Sequence, residues 1–238
     1  MKLHILGCSG PFPASGGACS GYLVETGDGL LQFDFGSGVL GRLTSLISPV
    51  SLDALFLSHW HFDHTSDLLP LIYRLEAEKK VLRVFAPVDD NSVIRKTLLS
   101  SQSFDVTDIA PGDRITVGSS SVTVGEARHP VPSVAFRVER EGKIFVYTGD
   151  TNTLPSLASF CSGCGLLLAD GLFPSSVWSE AKPHLSAELA AVLARDAGAG
   201  KLVITHLNPF FSPELLLKEA LPVFSETVLA SPGKVFDL

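Results

Sequence analysis

Three scarcities narrow the range of proteins that this sequence can encode. No run of about 18 consecutive apolar residues occurs, so we expect no membrane-spanning helix. The apolar start at residues 1–7 is too short for a signal peptide, and a cytoplasmic location is the default expectation. Four cysteines among 238 residues are too few for a disulfide scaffold, so the Cys161/Cys164 pair is expected to be free thiols. The 18 Lys and Arg residues face 25 Asp and Glu residues, which argues against a large basic surface for nucleic acid but not against a short phosphodiester.

The hydrophobic content of 45% is enough for a sizeable core. Strand patterns come in runs with helical patterns between them, which predicts a mixed α/β layered domain. No linker or repeat interrupts residues 1–238, so one domain is expected. The predicted strands are 2–6, 21–26, 30–35, 53–57, 81–86, 104–109, 113–117, 120–127, 133–139, 143–148, 165–169, 201–205 and a terminal pair at 227–230 and 234–237. The predicted helices are 38–47, one that begins near Leu68, 91–101, 155–161, 186–197 and 213–220.

Residues 53–64 join an apolar strand to a dense group of metal-binding side chains. Seven histidines occur in the chain, and three of them lie between positions 59 and 64. Side chains at i and i+2 of an extended segment point the same way, so we expect His59 and His61 to bind one metal ion. Asp63 and His64 follow the start of a turn and are expected to face a second ion. Imidazole and carboxylate ligands suit zinc, and also iron or manganese. The alternative is a histidine-rich loop that caps the next helix, which requires none of the histidines.

Three further side chains that bind metals follow predicted strands. His129 and His206 each stand in a loop after a strand, and Asp150 ends the strand 143–148. A buried carboxylate at a strand end must be paired or metal-bound. These residues complete a two-metal site, with one ion on His59, His61 and His129, the other on Asp63, His64 and His206, and Asp150 bridging. Such a pair lowers the pKa of a bridging water and yields a hydroxide nucleophile near pH 7.

The motif His59-Trp-His-Phe-Asp-His64, the later His129, the segment Tyr147–Thr151 and Thr205-His206 resemble the metallo-β-lactamase fold superfamily. Four other stretches resemble its ribonuclease Z-like group, which includes small phosphodiesterases: Leu6–Pro13 leading into Cys19–Val24, Leu31–Gly36, His129–Arg137, and His184–Ala194 with Leu202–His206. The resemblance implies an αββα sandwich with two metals at the sheet edges. It also implies that a homodimer is a common assembly.

The same resemblance implies roles for residues that bind no metal. A histidine at the place of His184 sits near the leaving oxygen in ribonuclease Z-like enzymes, oriented by an acid that here is Asp170. The tRNA-processing members instead have a glutamate followed by Ala-Thr at this place. From the residues alone, His184 is also compatible with a surface position near a helix cap. Asp63 has a second expected role in orienting the attacking water, and Asp34 is expected to hold a ligand histidine in the right tautomer.

The tRNA-processing members carry a basic arm, and residues 151–183 contain Lys182 as their only Lys or Arg. The sequence therefore favours a binuclear phosphodiesterase for small or nucleotide-like substrates over an enzyme for large structured RNA. One alternative is a ribonuclease Z-type endonuclease that processes tRNA 3' ends. Another is a lactone, thioester or β-lactam hydrolase on the same site. A di-iron reductase and a non-catalytic binding module rank lower.

Overall fold

Fourteen strands form two mixed β-sheets in the computed structural model, which describes residues 1–238. In chain order the strands are β1 (Lys2–Gly7), β2 (Gly21–Glu25), β3 (Leu30–Phe33), β4 (Ala54–Phe56), β5 (Leu82–Pro87), β6 (Phe104–Ile109), β7 (Arg114–Val117), β8 (Ser120–Glu126), β9 (Val134–Arg140), β10 (Lys143–Tyr147), β11 (Leu166–Asp170), β12 (Leu202–Thr205), β13 (Thr227–Leu229) and β14 (Val235–Asp237). The helices are α1 (Val39–Thr44), α2 (Phe62–Thr65), α3 (Leu68–Ala77), α4 (Val93–Ser100), α5 (Leu157–Phe160), α6 (Ala187–Ala197) and α7 (Pro213–Ala220). Two short 3-10 helices lie at Pro49–Ser51 and Ser175–Val177.

The first sheet has the order β14-β1-β2-β3-β4-β5-β6, and the second has the order β13-β12-β11-β10-β9-β8-β7. Strands β3 to β6 are parallel to one another, and so are β10 to β13. Parallel neighbours end at the same edge of a sheet, and loops at that edge are a common place for ligand sites. In each sheet, the loops that follow the parallel strands therefore lie at one edge, where residues of a functional site can lie close together.

The core between the two sheets is aromatic. Phe33 and Phe56 stack with ring centroids 5.2 Å apart, and Phe136 of the second sheet meets Phe33 at 5.4 Å. All three side chains are fully buried, and burying each contributes roughly 1.5–3 kcal/mol. Two further apolar clusters fill the outer faces, one between the first sheet and helices α1, α3 and α4, the other between the second sheet and helices α5 to α7. These four layers confirm the expected αββα sandwich.

The element boundaries differ from the sequence prediction in a few places. The helix predicted at 38–47 ends at Thr44, where the hydroxyls of Thr44 and Ser45 donate to the Gly41 carbonyl. Such bonds compete with continued helix formation. The two terminal strands do not pair with each other, since β13 joins β12 in the second sheet and β14 joins β1 in the first.

The two cysteines of the CxxC segment lie under helices α5 and α6 in the outer cluster of the second sheet. Both are buried and neither forms a disulfide. Burial raises the pKa of Cys161 to about 12 and that of Cys164 to about 11, which keeps both thiols protonated. No helix in the structure is both long enough and apolar enough to cross a membrane.

Candidate metal centre

The histidine-rich segment follows β4 directly. The chain leaves the first sheet at Phe56 and enters α2 at Phe62, so His59 and His61 precede the helix while Asp63 and His64 lie in its single turn. The two pairs belong to different groups of metal-binding side chains, in agreement with the expectation that Asp63 and His64, which follow the start of a turn, face elsewhere.

His59 and His61 meet His129, which lies in the loop between β8 and β9. The Nδ1 atom of His61 lies 3.0 Å from His59 Nε2 and 3.2 Å from His129 Nε2. One nitrogen from each ring lies within 4.8 Å of the other two. These three residues are the first cluster. Their convergence provides three imidazole nitrogens for a single ion.

Asp63 and His64 meet Asp150 and His206, and these four residues are the second cluster. The Nε2 atom of His64 lies 3.6 Å from Asp63 Oδ2 and 3.2 Å from Asp150 Oδ2. His206 brings its Nε2 to 3.3 Å from the same Asp150 oxygen. The second cluster offers two imidazoles and two carboxylates to a single ion.

Asp150 also borders the first cluster. It follows β10, and its Oδ2 lies 3.6 Å from His59 Nε2. The side chain is almost completely buried. Asp150 is thus the one carboxylate in contact with both clusters, which is the position that the two-metal arrangement requires of a bridging ligand.

Asp34 orients one histidine of each cluster. Its Oδ2 is 2.8 Å from His64 Nδ1 and also accepts hydrogen bonds from the hydroxyls of Ser58 and Tyr147, at 2.8 and 2.6 Å. Because the Ser58 hydroxyl donates to Asp34, its oxygen is left to accept from His59 Nδ1 at 3.0 Å. Both histidines then present Nε2 to their clusters. The expected role of Asp34 fits this geometry. The sequence analysis assigned no role to Ser58, and it noted Tyr147 only as part of the segment that ends at Thr151.

The other ring nitrogens are held by distant loops. His129 Nδ1 donates to the Pro183 carbonyl at 3.2 Å, and His206 Nδ1 lies 3.3 Å from the Ser20 hydroxyl. Burial lowers the pKa of His206 well below its ordinary value and that of His129 to about 4. Neutral imidazole is the form that binds a metal, so these side chains are prepared for ligation near pH 7.

Two buried atoms in the second cluster lack hydrogen-bond partners, His64 Nε2 and Asp150 Oδ1. A buried polar atom without a partner costs free energy. Burial disfavours a charged His64, yet the carboxylates of Asp150, Asp63 and Asp34 hold its pKa well above the ordinary value. The surrounding carboxylates thus favour positive charge at His64 Nε2, and a divalent cation bound there would supply it and give both buried atoms a partner. The nitrogen and oxygen donors fit zinc, iron or manganese.

His184 and Asp170 form a buried pair beside both clusters. His184 Nδ1 lies 2.8 Å from Asp170 Oδ2, and its ring centroid lies 4.9 Å from that of His206 and 5.1 Å from that of His129. Burial opposes a charged His184, but the Asp170 carboxylate raises the pKa of the imidazole to about 9. Burial raises the pKa of Asp170 to about 6 despite His184 and the hydrogen bond from Thr151 N. A surface position for His184 is therefore excluded.

One histidine lies outside the site. His4 on β1 is 3.1 Å from Glu25 on the neighbouring strand β2. The sequence indicated no role for it, and the structure places it outside both clusters, beside the Glu25 carboxylate.

Comparison with known proteins decides the family. The sequence pattern described as the beta-lactamase superfamily domain matches residues 23–207, which contain both clusters. The chain belongs to this superfamily. This member is 32% identical to the probable metallo-hydrolase YhfI of Bacillus subtilis, with 100% of both chains covered. It is 28% identical to the ribonuclease Z of Methanopyrus kandleri, over 98% of this chain and 96% of that protein.

Solved structures agree with this assignment. The crystal structure of Bacillus subtilis YhfI, a metallo-beta-lactamase fold protein, superposes with a TM-score of 0.93 and covers 99% of this chain and 98% of that one. Human tRNase Z, short form, shares the fold at a TM-score of 0.83 and 19% identity, with 100% and 99% of the two chains covered. The chain is a metallo-hydrolase of the metallo-β-lactamase fold, related to ribonuclease Z.

Proposed function

We propose that this metallo-hydrolase is a binuclear phosphodiesterase that acts on small or nucleotide-like phosphodiesters. The observation that carries the proposal is the pair of clusters that share Asp150, with the His184–Asp170 pair beside them. In-line displacement at phosphorus needs charge stabilisation at both the attacking and the leaving oxygen, and two adjacent ion sites provide it. Zinc is the expected metal, and manganese and iron suit the same donors.

His59, His61 and His129 would hold one ion, and Asp63, His64 and His206 the other, with Asp150 shared. When bound, the ions supply a Lewis acid and lower the pKa of water. Asp63 lies at the edge of its cluster and accepts a proton from the attacking water. Although burial opposes a charged His184, the Asp170 carboxylate raises the pKa of His184 to about 9. Near pH 7 the imidazolium therefore donates Nδ1–H to Asp170 and transfers the proton of Nε2 to the leaving oxygen.

A small substrate fits the surroundings of the site better than tRNA does. Residues 151–183 fold into α5, β11 and a short 3-10 helix, and Lys182 is their only basic residue. A ribonuclease Z-type endonuclease remains the second candidate, since the relatives include enzymes of that name. A lactone, thioester or β-lactam hydrolase is the third, because the same two ions can activate water toward a carbonyl.

The test is a substrate panel with zinc- or manganese-loaded protein. Bis-p-nitrophenyl phosphate and 3',5'-cyclic nucleotides are expected to be hydrolysed, and precursor tRNA, a lactone, nitrocefin and a thioester are not. His59→Ala and Asp150→Ala are expected to abolish turnover, whereas His4→Ala, outside the site, retains it. His184→Ala is expected to slow the hydrolysis of diesters with poor leaving alcohols by roughly 10²–10⁴-fold. It should slow the hydrolysis of p-nitrophenyl esters far less, because p-nitrophenolate leaves without protonation. Hydrolysis of the lactone or thioester without any phosphodiester cleavage contradicts the proposal.

A further inference from the structure

A groove of about 550 Å³ opens beside His129. It lies where three segments meet: the end of β5 at Pro87, the turn between β6 and β7, and residues 127–134. His129 belongs both to this groove and to the first cluster. The groove is therefore continuous with the place where a substrate phosphate would sit, and its volume falls in the usual range for small-molecule sites.

The walls of the groove carry no charge. Apart from His129, no lining residue is titratable, and Ser133 supplies the only hydroxyl. The floor includes Ile109 and Val134, which are 6% and 1% exposed. Such a lining favours an uncharged group, because an anion would lose its hydration there without gaining a partner.

The groove is also rigid. Four of its twelve lining residues are proline: Pro87, Pro111, Pro130 and Pro132. The segment that holds His129 is anchored at both ends, where Arg128 N donates to Thr151 Oγ1 at 2.9 Å and Val134 N donates to the Ser58 carbonyl at 2.9 Å. A preformed site binds without an ordering cost.

A second hollow that borders His129 has different chemistry. This hollow of about 260 Å³ contains Arg128, Lys182 and Glu180 together with the same histidine. His129 and Pro130 line both the charged hollow and the uncharged groove. A substrate held at the ions would therefore have two cations and one carboxylate near it in the hollow, and a lining without charge in the groove.

We propose that the groove binds one uncharged ester substituent of the substrate, an aryl or other largely apolar group. This inference rests on the proposed phosphodiesterase activity, and it specifies the substrate class. The preferred substrate is then a diester with one bulky uncharged arm. A polynucleotide strand is disfavoured in the groove because each added nucleotide brings a phosphate for which the lining has no cation.

Two diesters with the same leaving group test the groove: methyl p-nitrophenyl phosphate and phenyl p-nitrophenyl phosphate. The native protein is expected to have at least about a tenfold higher kcat/KM for the phenyl ester, the effect of burying part of one ring. Ala110→Asp brings a charge to the groove, and Val88→Asn brings a neutral polar group. Both are expected to bring the ratio of kcat/KM for the phenyl ester to kcat/KM for the methyl ester toward one. Tyr73→Asp alters a residue that is 75% exposed on α3, outside the groove, and should leave the ratio unchanged.

A binding measurement separates this inference from the proposed function. Calorimetric titration of zinc-loaded protein with phenyl phosphate and methyl phosphate requires no turnover. Tighter binding of phenyl phosphate, lost in Ala110→Asp, supports the groove even where no diester is hydrolysed. Equal affinities for phenyl and methyl phosphate, together with equal kcat/KM values for the phenyl and methyl diesters, overturn the proposed role of the groove even where phosphodiester hydrolysis is observed.

Discussion

Asp34 reaches histidines of both clusters through one carboxylate. It touches His64 directly and His59 through the Ser58 hydroxyl. The residue adopts a φ of 52°, a conformation that is uncommon outside glycine but tolerated by aspartate. This backbone turn at the end of β3 brings the carboxylate under both histidines. Asp34 and Ser58 thus fix the tautomer of one histidine in each cluster.

Ser58→Ala is expected to weaken ion binding at the first cluster by about 10- to 100-fold, because His59 loses the acceptor for its Nδ1–H. The measurement is zinc affinity by competition with a chromogenic chelator. Ser120→Ala is the matched control, since Ser120 is equally buried and its hydroxyl has no partner. Equal affinities in the two variants would show that the Ser58 hydroxyl does not position His59.

At the scale of elements, the loop between β1 and β2 is packed against the last histidine of the second cluster. A Cβ atom on Gly10 would lie 2.1 Å from His206 Cε1. The loop is tied to the same region by Gly10 N, which donates to the Leu207 carbonyl at 3.1 Å. Glycine is required here because any side chain would displace the imidazole.

Gly10→Ala is expected to displace His206 and reduce bound metal at the second cluster, with loss of most activity. Metal content after dialysis, measured by mass spectrometry, and the unfolding temperature together report the effect. Gly41→Ala is the control, because a Cβ at Gly41 in α1 meets nothing within 4 Å. Full metal content in Gly10→Ala would mean that the loop shifts to accommodate the methyl group without displacing His206.

The sequence predicted helices and turns correctly where neighbouring residues determine them. The turn Gly27-Asp28-Gly29 marks the hairpin between β2 and β3, and α3 follows from the spacing of Leu68, Leu71 and Leu75. The sheet that receives each terminal strand was not predictable, since β13 pairs with β12 and β14 with β1 through contacts between segments that are distant in the chain. The same limit applies within the site. The candidate metal ligands can be recognised from their residue types and spacing. The contact between Ser20 and His206 could not be predicted, because the two residues are 186 positions apart in the chain.

At the scale of the whole molecule, the site joins the two sheets. His59, His61, Asp63 and His64 follow a strand of the first sheet, whereas His129, Asp150 and His206 follow strands of the second. Any pair of ions held as proposed would therefore cross-link the halves of the sandwich. Four buried or nearly buried carboxylates meet there, Asp34, Asp63, Asp150 and Asp170, and bound cations would relieve their mutual repulsion.

Removal of the ions is expected to lower the unfolding temperature. At an ion concentration of about 100 times the Kd, binding contributes about 2.7 kcal/mol, which corresponds to about 5–10 °C for a chain of this size. Differential scanning calorimetry before and after treatment with EDTA measures the shift, and added zinc should restore it. Identical unfolding temperatures with and without metal would contradict a structural contribution from the ions.

The two clusters are unequally covered. His61 is exposed and His129 half-buried, whereas His64, Asp150 and His206 of the second cluster are buried. Water and chelators therefore reach the first cluster more readily. With two ions bound as proposed, exchange is expected to be faster at the first cluster than at the second, so demetallation would pass through a mononuclear form. That form would keep the two sheets joined through the second cluster, while the groove beside His129 would lose its neighbouring ion.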